Sequence, residues 1–175
     1  MSEPRILVAG IGNIFLGDDA FGVEVVRRLS RRVLPESVRV VDYGIRGLDL
    51  AYALMDNYDA AILVDAAGRG EAPGTLYVME PELDGDETDG PQALAMDAHS
   101  MNPMVVLNMV RAMGGRPGRV LLVGCEPETL GDEFQGAMGL SATVEAAAGG
   151  AVGIVESLIA RIGREHEAQQ ESVVA

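Results

Sequence analysis

Apolar residues along this chain follow two alternating patterns. Arg5-Ile6-Leu7-Val8-Ala9, Val38-Arg39-Val40-Val41, Ala60 to Val64 and Arg119 to Val123 are short apolar runs of four or five residues. Runs this short, apolar on both parities, predict strands buried on both faces. Between them the spacing changes. Phe21, Val25, Leu29 and Val33 recur at i, i+4 and predict an amphipathic helix. Leu48 to Met55 predicts a short helix, and Pro73-Gly74 a turn into a further strand from Thr75 to Met79. Asn102-Pro103 offers an N-cap followed by proline at the first helical position, and Met104, Leu107, Val110 and Arg111 continue that helix to Gly114-Gly115. Ser141 or Thr143 caps a last helix carrying Val155, Leu158 and Ile162.

Strands alternating with helices predict one α/β domain over residues 1–163: a twisted, mostly parallel sheet of about five strands with helices on both faces. Residues 164–175 are polar and predict a frayed tail. The rhythm breaks from 80 to 98, where Glu80, Glu82, Asp84, Asp86, Glu87 and Asp89 sit among glycine and proline without a base. That composition predicts a solvated loop. In sheets of this kind ligands bind beyond the carboxyl ends of the strands, so the residues ending each strand become the candidates.

Composition narrows the chemistry. The chain has 175 residues, 48% of them apolar, and a net charge of −14. The charge argues against nucleic acid and anionic membrane surfaces as partners. All 13 basic residues are arginine, which removes phosphate-loop lysines, Schiff bases and Ser-Lys dyads. Two histidines, His99 and His166, leave carboxylates to carry most polar chemistry. The lone Cys125 forms no internal disulfide and suits a reducing compartment. No apolar run approaches the roughly 18 to 20 residues of a membrane span, and the start lacks a basic leader. A cytoplasmic protein is expected.

The first strand ends in Gly10-Ile11-Gly12-Asn13-Ile14-Phe15-Leu16-Gly17-Asp18-Asp19, the second in Asp42-Tyr43-Gly44-Ile45-Arg46-Gly47, and the third at Asp65; His99 lies just before a helix start. Gly10-Ile11-Gly12 after a strand, with Asp42 ending the next, suggests a dinucleotide site. Phe15 replaces the third glycine of that fingerprint, however, and Asp18-Asp19 places two negative charges where a pyrophosphate would sit. A cation is the better fit. Asp19, Asp65 and His99 offer two oxygens and one nitrogen, suited to Zn²⁺ or Ni²⁺ with positions left open. Ordinary roles compete with this: Asp18 or Asp19 as a helix cap, Asp65 bonded to a neighbouring loop, His99 as a satisfied turn residue.

Taken in order, these segments resemble the hydrogenase maturation endopeptidases, which trim the C-terminus of the large subunit of nickel–iron hydrogenases. The likeness rests on Gly10 to Gly22, Asp42 to Gly47, Val64-Asp65-Ala66 with Pro73-Gly74-Thr75, His99, Leu122 to Glu128, and Gly139 to Val144. It implies a metal site of Asp19, Asp65 and His99, with Asp42 as a further acid in or near the cleft. It also implies that the metal is nickel presented by the large-subunit precursor, with zinc or a similar ion able to occupy the site in vitro. The expected catalytic residues are Asp19, Asp42 and Asp65, of metallo- or aspartic type. Gly12, Asn13 and Arg46 are the expected substrate-binding residues.

Two departures stand out. Tyr43, Ile45 and Arg46 replace the usual small or hydroxyl residues of the second loop, and position 19 is aspartate where many relatives carry glutamate. The expected protein is a monomer or weak dimer. The rival from another class is a non-catalytic, nickel-dependent checkpoint module using the same ligands. Met101, Met104, Met109 and Met113 read as core and rim of one helix, Cys125 as an inert buried thiol, His166 as solvated.

Overall fold

A computed structural model of the chain describes residues 2–83, 102–131 and 136–174. The four apolar runs become β1 (Ile6–Ile11), β2 (Val38–Gly44), β3 (Ala60–Ala66) and β5 (Arg119–Cys125), joined by β4 (Leu76–Met79). Their order in the sheet is β2-β1-β3-β5-β4. All pairings are parallel except that of β4 with β5. Helices α1 (Phe21–Leu29), α2 (Gly47–Leu54), α3 (Pro103–Ala112) and α4 (Ala142–Val174) complete the fold. The expected single α/β layer with helices on both faces is therefore what forms.

Strand parity divides the interior into two cores. Ile6, Val8, Ile62 and Val64 point to one face and pack with Phe21, Val25 and Leu29 of α1 and Val152, Val155 and Ile159 of α4. Leu7, Ala9 and Leu63 point to the other and pack with Leu50 and Leu54 of α2 and Val106 and Val110 of α3. The central strands β1 and β3, and most of β5, are buried on both sides, which explains their unbroken apolar runs, while the edge strands β2 and β4 are partly exposed. Gly22 lets α1 lie directly on the sheet. A Cβ at that point would stand 2.1 Å from the Val64 carbonyl oxygen and 2.4 Å from that of Ile11.

Three expectations are corrected. Val33 is not on the helix face: α1 ends at Leu29, and Val33 is fully exposed. Tight bonds from Arg31 N to Arg28 O and Arg32 N to Leu29 O close the helix, and Pro35 disfavours helical backbone just before it. Residues 164–174 are not a frayed tail but continue α4 to Val174. No glycine or proline follows Gly163, and glutamate, glutamine, alanine and arginine favour helix. Gln170 also donates to the Ser2 carbonyl at 3.2 Å, and Arg119 pairs with Glu165 at 2.5 Å. Finally, α4 contains an 18-residue stretch of mean hydropathy 1.4, long and apolar enough for a membrane span by those measures alone. The sequence reading overlooked it; its Val144, Val152, Val155 and Ile159 face the sheet core.

The caps behave as the residue types dictate. The Asn102 side chain accepts from Met104 N at 2.8 Å, with Pro103 opening α3. Of the two candidates for α4, Ser141 is the cap, its hydroxyl accepting from Val144 N at 3.3 Å. The chain leaves β1 for β2 on one side, and β3 lies on the other. The crevice beyond the carboxyl ends of β1 and β3 is thus the topological switch point where open α/β sheets bind ligands.

Candidate active site

Past β1 the backbone turns at Gly12, whose φ of +144° and whose missing Cβ, which would stand 1.8 Å from the Asp19 carbonyl oxygen, admit only glycine. Gly12 N donates to Gly44 O at 3.0 Å, tying this loop to the end of β2. The Asn13 amide N–H donates to Asp19 Oδ2 at 2.8 Å, while the Asn13 side-chain oxygen accepts from Phe15 N at 2.9 Å. The loop thus folds around Asp19 and aims it into the crevice. Residues Gly17–Ala20 form a single 3-10 turn ahead of α1.

Asp65 is the second-last residue of β3 and only 7% exposed. Its Oδ1 is the one buried side-chain polar atom among the described residues that has no hydrogen-bond partner. Burial pushes its carboxyl well above the usual range, the neighbouring Asp19 charge pushes it further, and only the Ala66 amide opposes them. Asp19 is raised too, by burial, against the Asn13 amide. Two adjacent carboxylates in a poorly solvated crevice disfavour double ionisation, and a cation would relieve both. A buried orphan oxygen costs stability unless something occupies it. The pair therefore fits a divalent ion with open positions.

Asp18 does something else. It is fully buried and accepts from Glu128 N (2.8 Å), Thr129 N (3.0 Å), Ser141 N (2.7 Å) and Ser141 Oγ (2.9 Å). Burial works against its charge, but these donors outweigh burial and hold the carboxyl below its ordinary value. Asp18 is neither a ligand nor a cap for α1. It clamps the segment between β5 and α4 against the turn that carries Asp19. Aspartates side by side in sequence thus have opposite roles, set by donors from residues over a hundred positions away.

The other expected residues are distributed unevenly. Asp42 is exposed at the end of β2. Its level in the sheet is that of Val64, since both pair with Gly10, but strand β1 lies between them, two strand spacings or about 10 Å. Its parity directs it to the α1 face, whereas Asp65 shares parity with Ala61 and Leu63 on the α2 face. The structure brings Asp19 and Asp65 together and places Asp42 two strand spacings from β3 on the other face of the sheet. Arg46 spans its own loop: it donates to the Asp42 carbonyl at 2.5 Å, stands 3.5 Å from Asp49 and lies 5.6 Å from the Tyr43 ring centre. His99, the expected third ligand, lies outside the described residues, as does Met101. Among the described residues no group of three histidine, cysteine or carboxylate side chains is arranged to hold a metal.

A cavity of about 220 Å³ opens beside Asp65, lined by Tyr77, Met79, Asn102, Met104 and Leu122. Larger cavities lie at the opposite end of the sheet and beside Leu107 and Arg111. Among the described residues neither contains an unpartnered buried charge, so chemistry rather than size marks the site. Its floor is braced: Glu126, 7% exposed, accepts from Arg69 N at 2.7 Å, and the Tyr77 hydroxyl donates to Ala67 O at 3.2 Å. Both bonds fix the loop that follows Asp65. Sequence reasoning offered Asp18 only as a helix cap, gave Ser141 only a capping role and assigned Glu126 none, because their partners are distant along the chain.

Comparison with known proteins gives a consistent result. Residues 23–158 match the family model described as hydrogenase maturation protease. The chain is 37% identical over 144 residues to the hydrogenase 2 maturation protease of Escherichia coli strain K12, covering 81% of this chain and 82% of that protein. It is also 37% identical over 129 residues to the hydrogenase expression/formation protein HupD of Rhodobacter capsulatus, covering 73% of this chain and 60% of that longer protein. The hydrogenase maturating endopeptidase HybD of Escherichia coli superposes with a TM-score of 0.71 at 33% identity, covering 91% of this chain and 94% of that one.

Proposed function

This chain belongs to the hydrogenase maturation protease family, and from that premise we propose that it removes a C-terminal peptide from the nickel-loaded large-subunit precursor of a nickel–iron hydrogenase. One observation carries the reading: the buried, unpartnered Oδ1 of Asp65 beside Asp19 at the switch point. In this reading the nickel arrives as part of the substrate. Asp19 and Asp65 supply oxygens to it, and His99 supplies the third donor expected from the sequence. Zinc or a similar divalent ion takes the same place in vitro.

The chemistry follows from the two carboxylates. The neighbouring charges repel, so the pair holds a proton more readily than isolated carboxylates do. Arrival of the substrate's cation drives that proton off and fixes the scissile bond in the crevice. Asp19 is the more accessible of the two, so we assign it the task of taking a proton from water. The water oxygen then adds to the carbonyl carbon, the C–N bond breaks, and the leaving amine takes up a proton. Gly12 and Asn13 present backbone to the peptide, and Arg46 grips it at the rim. We assign Asp42, at the end of β2 two strand spacings from β3, to the charge of the rim and not to this step. We place the reaction in the cytoplasm, supported by the lone, buried Cys125, and take the acting unit as a monomer or weak dimer.

The test is to incubate the purified protein with nickel-loaded precursor and follow the products by mass spectrometry. A released C-terminal peptide is expected, with none from a His99→Ala variant. A stable complex without release would instead mean a checkpoint module, and full processing by His99→Ala would remove the ligand assignment.

A further inference from the structure

Large apolar side chains left in water gather at the carboxyl rim of the sheet. Ile14 and Phe15 stand on the turn that wraps Asp19, Leu130 and Met138 on the segment between β5 and α4, and Ile45 and Leu48 on the β2–α2 connection; all six are between 42% and 72% exposed. Backbone bonds join the segments that carry them. Ala137 N donates to Phe15 O at 2.8 Å, Gly17 N to Ala137 O at 2.8 Å, Asp18 N to Thr129 O at 2.9 Å, and Gly12 N to Gly44 O at 3.0 Å. The buried Asp18 carboxylate reinforces the first group with four further bonds. The six side chains therefore sit on one braced platform, not on independent loops.

Single exposed apolar residues are ordinary, but a cluster framing a polar crevice marks a protein-binding surface. Two observations select its occupant. The platform surrounds Asp19, so a protein presenting a metal to Asp19 and Asp65 must rest on it, and an isolated peptide tail in the crevice would leave its outer parts uncovered. A second copy of this chain is opposed by the charge of −14 that each copy carries.

Resting on the protease reading above, we propose that this apolar rim docks the folded body of the large-subunit precursor, so that recognition depends on the precursor's folded surface around its metal as well as on the peptide to be cut. None of the six side chains is needed for water activation. Their loss should weaken encounter and leave the chemical step intact.

The test uses the double variant Ile45→Ser/Met138→Ser and the single variant Leu48→Asn, each checked for an unchanged melting transition, with Val33→Ser at the far end of the sheet as control. Steady-state cleavage of nickel-loaded precursor is the readout. The expected result is a KM raised about tenfold or more by the double variant, a smaller rise for Leu48→Asn, kcat within about twofold of wild type, and Val33→Ser unaltered. An unchanged KM in both rim variants, while wild type cleaves, overturns the docking surface and leaves the protease reading intact. Failure of wild type to cleave overturns that reading and this inference together. Wild-type self-association in sedimentation, abolished by the double variant, would make the rim a contact between copies and likewise overturn the proposal.

Discussion

Replacing Asp65 by asparagine should make the protein more stable and inactive at once. The side chain keeps its size, so the perturbation is the loss of one buried charge. In the wild type that charge has an Oδ1 without a donor, a neighbouring carboxylate at Asp19 and one opposing amide at Ala66. A buried polar group without its partner costs about 1–3 kcal/mol, and a charged one more. The asparagine amide still leaves one polar atom imperfectly satisfied, so the net gain is about 1–3 kcal/mol. For a chain of this length that corresponds to a rise of about 3–8 °C in Tm.

The pH dependence identifies the cause. The folded-state pKa of Asp65 is raised, so the wild-type protein gives up stability as pH climbs from about 3.8 through the folded value, and the full penalty applies above it. Calorimetric melts of both proteins in metal-free buffer should coincide near pH 4 and separate progressively towards pH 8. Adding nickel or zinc should raise the wild-type transition and leave the variant unmoved. A variant less stable than wild type by a pH-independent amount would refute the argument, because it would mean that Asp65 is bonded and not orphaned.

Asp18→Ala should act with the opposite sign, losing about 3–5 kcal/mol at pH 7 as four charge-assisted bonds disappear and some donors find water. Because the Asp18 pKa is lowered, its contribution is complete above about pH 4 and is lost as pH falls through the folded value, so the gap between wild type and Asp18→Ala should close only in strong acid. Gly22→Ala should destabilise by more than about 2 kcal/mol in urea unfolding, since its Cβ would meet the backbone of β1 and β3. Cys125, fully buried with its thiol pushed by burial to about 11, should resist alkylation at pH 8 until urea unfolds the chain.

Much of the fold could be read from periodicity. Runs of four or five apolar residues marked every parallel strand, most plainly β1, β3 and β5, which are buried on both faces, and Asn102-Pro103 announced α3 through local chemistry. The errors came where local signals fell silent. Val33 kept the helical spacing but lost its helix to a tight turn and Pro35, and the polar end of α4 became ordered through its own propensity and bonds to Ser2 and Arg119. At the site, placement beyond the strand ends picked out Asp19 and Asp65, while the family likeness supplied their roles. Asp42 was legible as a strand-end acid, but strand order, which decides its distance from Asp65, is not written in any local pattern. Asp18 was misread for a related reason: its donors are the backbone amides of Glu128, Thr129 and Ser141, and only folding brings them to it.

The central claim is that Asp19 and Asp65 form the part of the site that receives the precursor's nickel and permits cleavage. The direct measurement is mass-spectrometric analysis of precursor, loaded with nickel or free of it, after incubation with wild type, Asp19→Asn or Asp65→Asn. The account predicts release of a C-terminal peptide only from nickel-loaded precursor and only by wild type, with both variants folded. Equal cleavage of nickel-free precursor, or undiminished cleavage by Asp65→Asn, would contradict it.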